Sequence, residues 1–188
     1  MRLWAIFVCV LGISAPGLAP GAAGPPGSAE RIVPPPPATD EDRIAREVRH
    51  VLVTLPDYSV FDYLGFTVNG HTVTLTGQVT KPTLKSDAER AARQVEGVEK
   101  VENKMQVLPA VPMDDRIRLN VYRAIYGQPG LDRYAVQAIP PIHIIVEQGN
   151  VTLAGVVDSQ SDKELASIRA NSVSGVFSVT NNLRVEER

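Results

Sequence analysis

The chain has 188 residues, of which 44% are hydrophobic and 21% charged, ordinary values for a globular protein with room for one medium domain or two small ones. A formal net charge of -2 excludes a nucleic-acid binder that works through a large basic surface. The single cysteine, Cys9, excludes an intrachain disulfide and any multi-cysteine zinc or iron–sulfur site.

The first element is an export signal, expected over residues 1–23. Arg2 gives a positive start, Leu3 to Ile13 is an apolar run too short to span a bilayer, and small residues follow up to Ala23, the expected cleavage point. Cys9 lies inside the apolar run rather than after it, so it reads as an apolar residue of the signal and not as a lipid-anchored cysteine. The expected localisation is exported and periplasmic, peripheral to a membrane. Residues 24–38 are rich in proline and glycine, including Pro34 to Pro37, and read as a semi-rigid polyproline spacer.

A helix follows, with Ile44, Val48, Val51, Leu52 and Leu55 on one stripe, Thr39 as N-cap and three acids in the first turn. Phe66 to Val68 and Val73 to Leu75 form a hairpin through Asn69-Gly70. A second helix carries Ala88, Ala92 and Val95, with Gly97 as its stop, and a strand alternates Val101, Asn103, Met105 and Val107 with polar residues. The order then repeats. Ile117, Val121, Ala124 and Ile125 restore the helix stripe, Ile142 to Val146 and Val151 to Leu153 restore the hairpin, and Gly175 stands where Gly97 stood.

The repeat is a tandem duplication. Residues 73–107 laid without a gap on 151–185 give 14 identities in 35 positions, too many for chance. Copy one spans 39–109 and copy two 113–188, joined by a very short linker. The fold class is α+β: two αββαβ modules, each a small three-stranded sheet with two helices on one face. Gly77 and Gly155 are equivalent mid-strand glycines, read as a bulge or as room for the alanine-bearing helix to approach.

The Val-Thr-Leu-x-Gly-x-Val strand at 73–79 and 151–157, followed by Gly-Val-x-x-Val-x-Asn at 97–103 and 175–181, resembles the BON domain. The likeness covers nearly all of the chain beyond the signal and is similar to exported dual-BON proteins of the bacterial envelope. It implies a role in osmotic stress and envelope integrity, with anionic phospholipid as a partner. It also implies an alternative, a periplasmic protein-binding or chaperone-like adaptor.

No residue pattern announces chemistry. His50, His71 and His143 have no metal-binding spacing, Asp57, Asp62, Asp132 and Asp158 sit in turn contexts, and no nucleophile elbow or phosphate loop is present. No catalytic residue, metal, cofactor or small-molecule substrate is expected, and no nucleic-acid partner. The expected membrane contact is the first helix of copy two and the loop after it. Arg118, Tyr122 and Tyr126 are spaced four apart, Arg123 is beside them, and Arg133 and Tyr134 follow, a set suited to an anionic headgroup layer. Copy one has Arg46 and Arg49 on its helix but no tyrosine there. The opposing reading is a solvated face whose arginines pair with Asp114, Asp115 and Asp132. Envelope proteins reached through an open sheet edge are the alternative partners.

Overall fold

The computed structural model describes residues 39–137 and 139–186. The expected signal peptide and spacer lie outside the described residues.

Copy one begins with helix α1, Asp40–Val53. The Thr39 hydroxyl accepts from the Asp42 N–H at 3.2 Å and the Asp42 carboxylate accepts from the Thr39 N–H at 2.9 Å, a reciprocal cap that fixes the helix start. Strands β1 (Tyr63–Asn69) and β2 (Thr72–Val79) form an antiparallel hairpin. Helix α2 (Pro82–Arg93) crosses back, and β3 (Lys100–Asn103) with β4 (Gln106–Val107) runs parallel to β2. Copy two repeats this as α3 (Pro112–Tyr126), β5 (Ile142–Glu147), β6 (Asn150–Val157), α4 (Gln160–Asn171) and β7 (Ser178–Val185). A 3-10 turn, Asp132–Val136, is inserted after α3. The sheet orders are β1-β2-β3 and β5-β6-β7, so the α+β, αββαβ reading holds in both copies.

Each helix pair packs on its own sheet. Ile44, Val48 and Leu52 of α1 and Leu84, Ala88 and Ala92 of α2 close over Val73, Leu75 and Val79. In copy two Ile117, Val121 and Ile125 of α3 and Ala166 and Ala170 of α4 close over Val151, Leu153 and Val157.

Three expectations need correction. The copy-one turn is Gly70-His71, one residue beyond Asn69-Gly70, and only Gly70 of the pair has positive φ. Gly97 does not stop α2. It stands third in the turn Val95–Val98, closed by Val98 N–H on the Val95 carbonyl at 3.2 Å, and its φ of +90° suits that place. Gly175 does the same in Val173–Val176. Gly77 and Gly155 do not make room for a helix. A Cβ on Gly77 would lie 2.0 Å from the Tyr63 carbonyl oxygen, and one on Gly155 would lie 1.9 Å from that of Pro141. With φ of +119° and +123°, each glycine lets the entry of the neighbouring strand lie closer than a Cβ would allow.

The recurring asparagine has a structural reason. Asn103 donates from Nδ2 to the Lys85 carbonyl of α2 and accepts from the Met105 N–H, and Asn181 does the same with Lys163 and Leu183. One side chain thus ties the second helix to the last strand in each copy.

Candidate functional site

The six expected contact residues do not form one exposed face. Arg118 is buried, with its guanidinium on the Val146 carbonyl at 2.7 Å and paired with Asp115. Tyr126 is buried; its hydroxyl donates to the Ile142 carbonyl at 2.7 Å and accepts from the Ile142 N–H at 3.2 Å. Burial pushes its phenol far above the usual range. Tyr122 is half-buried between Phe61 of copy one and Tyr126. Tyr134 is buried, also with a raised phenol, and its hydroxyl accepts from the Asp158 N–H and donates to Asp162. Arg133 lies over the Tyr134 ring and pairs with Asp162 and Asp158, so both residues brace the start of α4. Of the six, Arg123 alone is exposed and outside any ion pair among the described residues.

The reason is the free edge of β5. Along this strand the N–H and C=O groups of Ile142, Ile144 and Val146 point away from β6. Tyr126 satisfies Ile142, the Val60 carbonyl of copy one accepts from the Ile144 N–H at 2.8 Å, and Arg118 satisfies the Val146 carbonyl. An edge that would otherwise invite another strand is closed by the protein's own groups. In sequence terms the signal was available: the equivalent positions of copy one are Ala45 and Val53, which have no polar reach.

A different exposed face takes shape on α3. Met113 is 52% exposed and Leu119 47%, and they share the outside of the helix with Arg116 and Arg123. Neither arginine is ion-paired among the described residues. The acids expected to neutralise them are engaged elsewhere: Asp114 accepts from the Gln148 and Gly149 N–H groups, Asp115 pairs with Arg118, and Asp132 accepts from the Gly130 N–H. Phe177, 86% exposed, belongs to the same end of copy two, because its N–H bonds the Gly149 carbonyl beside the Asp114 contact. At the equivalent positions copy one carries Asp40 for Met113 and Glu99 for Phe177, and its Arg43 is paired with Glu47.

An open groove of about 1190 Å3 lies where the copies meet. One wall is α1 and β1, with Val53, Phe66 and Val68, and the other is copy two, with Pro141, His143 and Val156. His143 is buried at this seam. Its ring stacks on Tyr58 at 5.6 Å between centroids and meets Tyr63 edge-on at 6.1 Å, and Tyr58 Oη lies 3.3 Å from Nε2. Burial pulls its pKa below the ordinary imidazole value, opposed by the nearby Asp62 carboxylate and the carbonyls of Asp62 and Ser59. Asp62 itself is fully buried and accepts from the N–H and hydroxyl of Ser59 and of Thr80, a turn-closing role that uses up its oxygens. Among the described residues no cluster of three metal-ligating side chains occurs, and no helix is long and apolar enough to cross a membrane.

Comparison with known proteins agrees with the duplicated geometry. The family described as BON domain matches residues 40–109 and again 114–187. Osmotically-inducible protein Y of Escherichia coli strain K12 is 30% identical over 149 residues, covering 78% of this chain and 73% of that protein. Among solved structures, CdsD, a structural protein of the type III secretion system of Chlamydia trachomatis, gives a TM-score of 0.31 at 11% identity over 78% of this chain and 93% of its own. Its C-terminal domain gives 0.28 at 11% over 79% and 100%. Those two likenesses are distant. The sequence relationship is not, and with two matched segments that together span most of the sequence, the chain belongs to the BON domain family.

Proposed function

We propose that this chain is an exported, non-catalytic protein of the cell envelope that serves osmotic stress tolerance by docking on anionic phospholipid through copy two. The osmotic role rests on the similarity to osmotically-inducible protein Y, and export rests on the charge, apolar run and small-residue order of residues 1–23. The observation that carries the lipid contact is the outer face of α3, where Arg116 and Arg123 flank Leu119 and neither is ion-paired among the described residues. Met113 and Phe177 add apolar groups at one end of that face. Cations beside exposed apolar side chains suit a headgroup layer: the charges meet phosphates while the apolar groups enter the interface.

Each arginine near an anionic surface contributes about 1 kcal/mol. Arg116→Gln with Arg123→Gln therefore weakens binding to phosphatidylglycerol vesicles about 30-fold at low salt, without lowering the melting temperature. The same change at Arg43 and His50, the equivalent positions of copy one, has little effect. Co-sedimentation with vesicles of phosphatidylglycerol and of phosphatidylcholine checks this. Equal binding to both vesicle types, or to neither, removes the lipid reading.

A further inference from the structure

The two copies treat one feature of the shared fold in opposite ways. In copy two the outer edge of β5 is closed by Tyr126, Arg118 and the Val60 carbonyl. The corresponding edge in copy one is that of β1. The pairing Leu64↔Gly77, Phe66↔Leu75 and Val68↔Val73 matches Ile142↔Gly155, Ile144↔Leu153 and Val146↔Val151, so Leu64, Phe66 and Val68 turn their backbone groups outward. The Tyr58 hydroxyl reaches the Leu64 end. Among the described residues nothing bonds the outward N–H and C=O of Phe66 and Val68. Where copy two has Arg118 and Tyr126, copy one has Ala45 and Val53. Among the described residues no segment meets β1 as Val60 meets β5.

That open edge lies in the wall of the seam groove. The groove continues an established interface. The turn Ser59–Asp62, closed by the Asp62 N–H on the Ser59 carbonyl at 3.1 Å, sets the Val60 carbonyl on β5, and the chain then passes straight into β1. At the seam, the backbone contact of that turn with β5 ends and the unpaired edge of β1 begins.

The geometry points to β1 as the receptor for an extended polypeptide of a partner protein, which adds to the sheet as an outer strand. Its backbone meets the N–H and C=O groups of Phe66 and Val68, and small or apolar side chains at alternate positions face Val53 on one side and Pro141 and Val156 on the other. Backbone groups repeating every second residue are matched by extended peptide and not by a folded surface. The Val60 carbonyl on the Ile144 N–H is a single backbone bond of this kind within the chain. This surface is separate from the α3 face and does not depend on it.

The test uses the full chain and two labelled hexapeptides of sequence Thr-Val-Thr-Val-Thr-Val, one plain and one N-methylated at alternate amides on its pairing edge. N-methylation keeps the apolar side chains and removes the hydrogen bonds. By fluorescence anisotropy the plain peptide should bind about tenfold tighter, the loss expected for one or two edge hydrogen bonds. Ala45→Arg with Val53→Tyr transplants the closing groups of copy two onto β1, at positions that are half-exposed and exposed. This variant should lose binding of the plain peptide about tenfold while phosphatidylglycerol vesicle binding stays unchanged. Equal affinity for the two peptides, no binding of either, or unchanged binding by the variant overturns the proposal. So does parent protein that sediments as a dimer and becomes monomeric in the variant, which would give the edge to a second copy.

Discussion

Gly77 and Gly155 show how one residue sets the shape of a module. Both have positive φ and both face the carbonyl of a neighbouring strand at a distance no Cβ tolerates. Gly77→Ala and Gly155→Ala should therefore each cost about 2–4 kcal/mol, the sum of a disfavoured backbone and a displaced strand entry. Urea unfolding of each variant checks this. If alanine is tolerated and valine alone is disruptive, side-chain bulk against the helix is the correct account. The sequence marks both positions as special, because each sits in a matched strand. It does not show which atom crowds them, since Tyr63 and Pro141 lie 14 residues away along the chain in each case. Arg118 and Tyr126 depart from the expected exposed face for a similar reason. They flank the apolar stripe of α3, where helical periodicity places the boundary between core and solvent, and a strand edge beyond the helix draws them inward.

At the scale of elements, the edge of β5 is protected by groups of three kinds: a phenol, a guanidinium and a backbone carbonyl. The phenol is the cleanest to test. Tyr126→Phe keeps the ring against Tyr122 and removes only the hydroxyl that serves both Ile142 groups. Two buried backbone groups then lack a partner, so stability should fall by about 2–3 kcal/mol. Hydrogen exchange at Ile142 should accelerate while exchange at Ile144, held by Val60, changes less. Equal acceleration at both, or a neutral substitution, would mean that the hydroxyl does not guard the edge. The elements themselves were legible because helix stripes, the capping residue Thr39 and the repeated Val-Thr-Leu strand are local patterns. The insertion between α3 and β5, with Gly127, Pro129 and Gly130, shows in the sequence only turn-forming residues. Its function, placing Tyr134 and Arg133 over the start of α4, depends on contacts with Asp158 and Asp162 far along the chain.

The whole molecule is held at a seam that no repeat pattern reveals, because a duplication shows what the copies share and not how they meet. His143 lies in that seam with its pKa pulled below 6.5 by burial. The unfolded chain therefore takes up a proton more readily than the folded one as pH falls. Stability is fully present above about pH 6.5 and declines as pH drops from there toward the lowered folded value, where the decline ends. The urea midpoint of the parent should fall between pH 7.5 and 5.5, and that of His143→Phe, which keeps a ring against Tyr58 and Tyr63, should fall less. Parallel lines for the two proteins would exclude His143 as the source.

The seam is also unequal in what each side gives. Among the described residues, the copy-one core draws on copy one alone, from Ile44 to Met105. The copy-two core includes Val60, 8% exposed, with Phe61 packed against it, and both come from copy one. Val60 further supplies the carbonyl that pairs with Ile144. Copy two therefore draws core residues from copy one, while copy one gains from copy two the His143 ring against Tyr58 and Tyr63 at its surface. A fragment of residues 39–111 should melt cooperatively. A fragment of residues 112–188 loses a buried valine, a ring against Tyr122 and one edge hydrogen bond, together about 3–5 kcal/mol, which is most of what a module of this size holds. It should be unfolded or molten by near-ultraviolet circular dichroism, and extending it N-terminally cannot restore it short of including Ser59–Asp62. Val60→Asp in the full chain should reproduce the defect in copy two and leave hydrogen exchange in α1 and α2 unchanged. A cooperatively folded 112–188 fragment as stable as 39–111 would show that the valine fills space without carrying the fold.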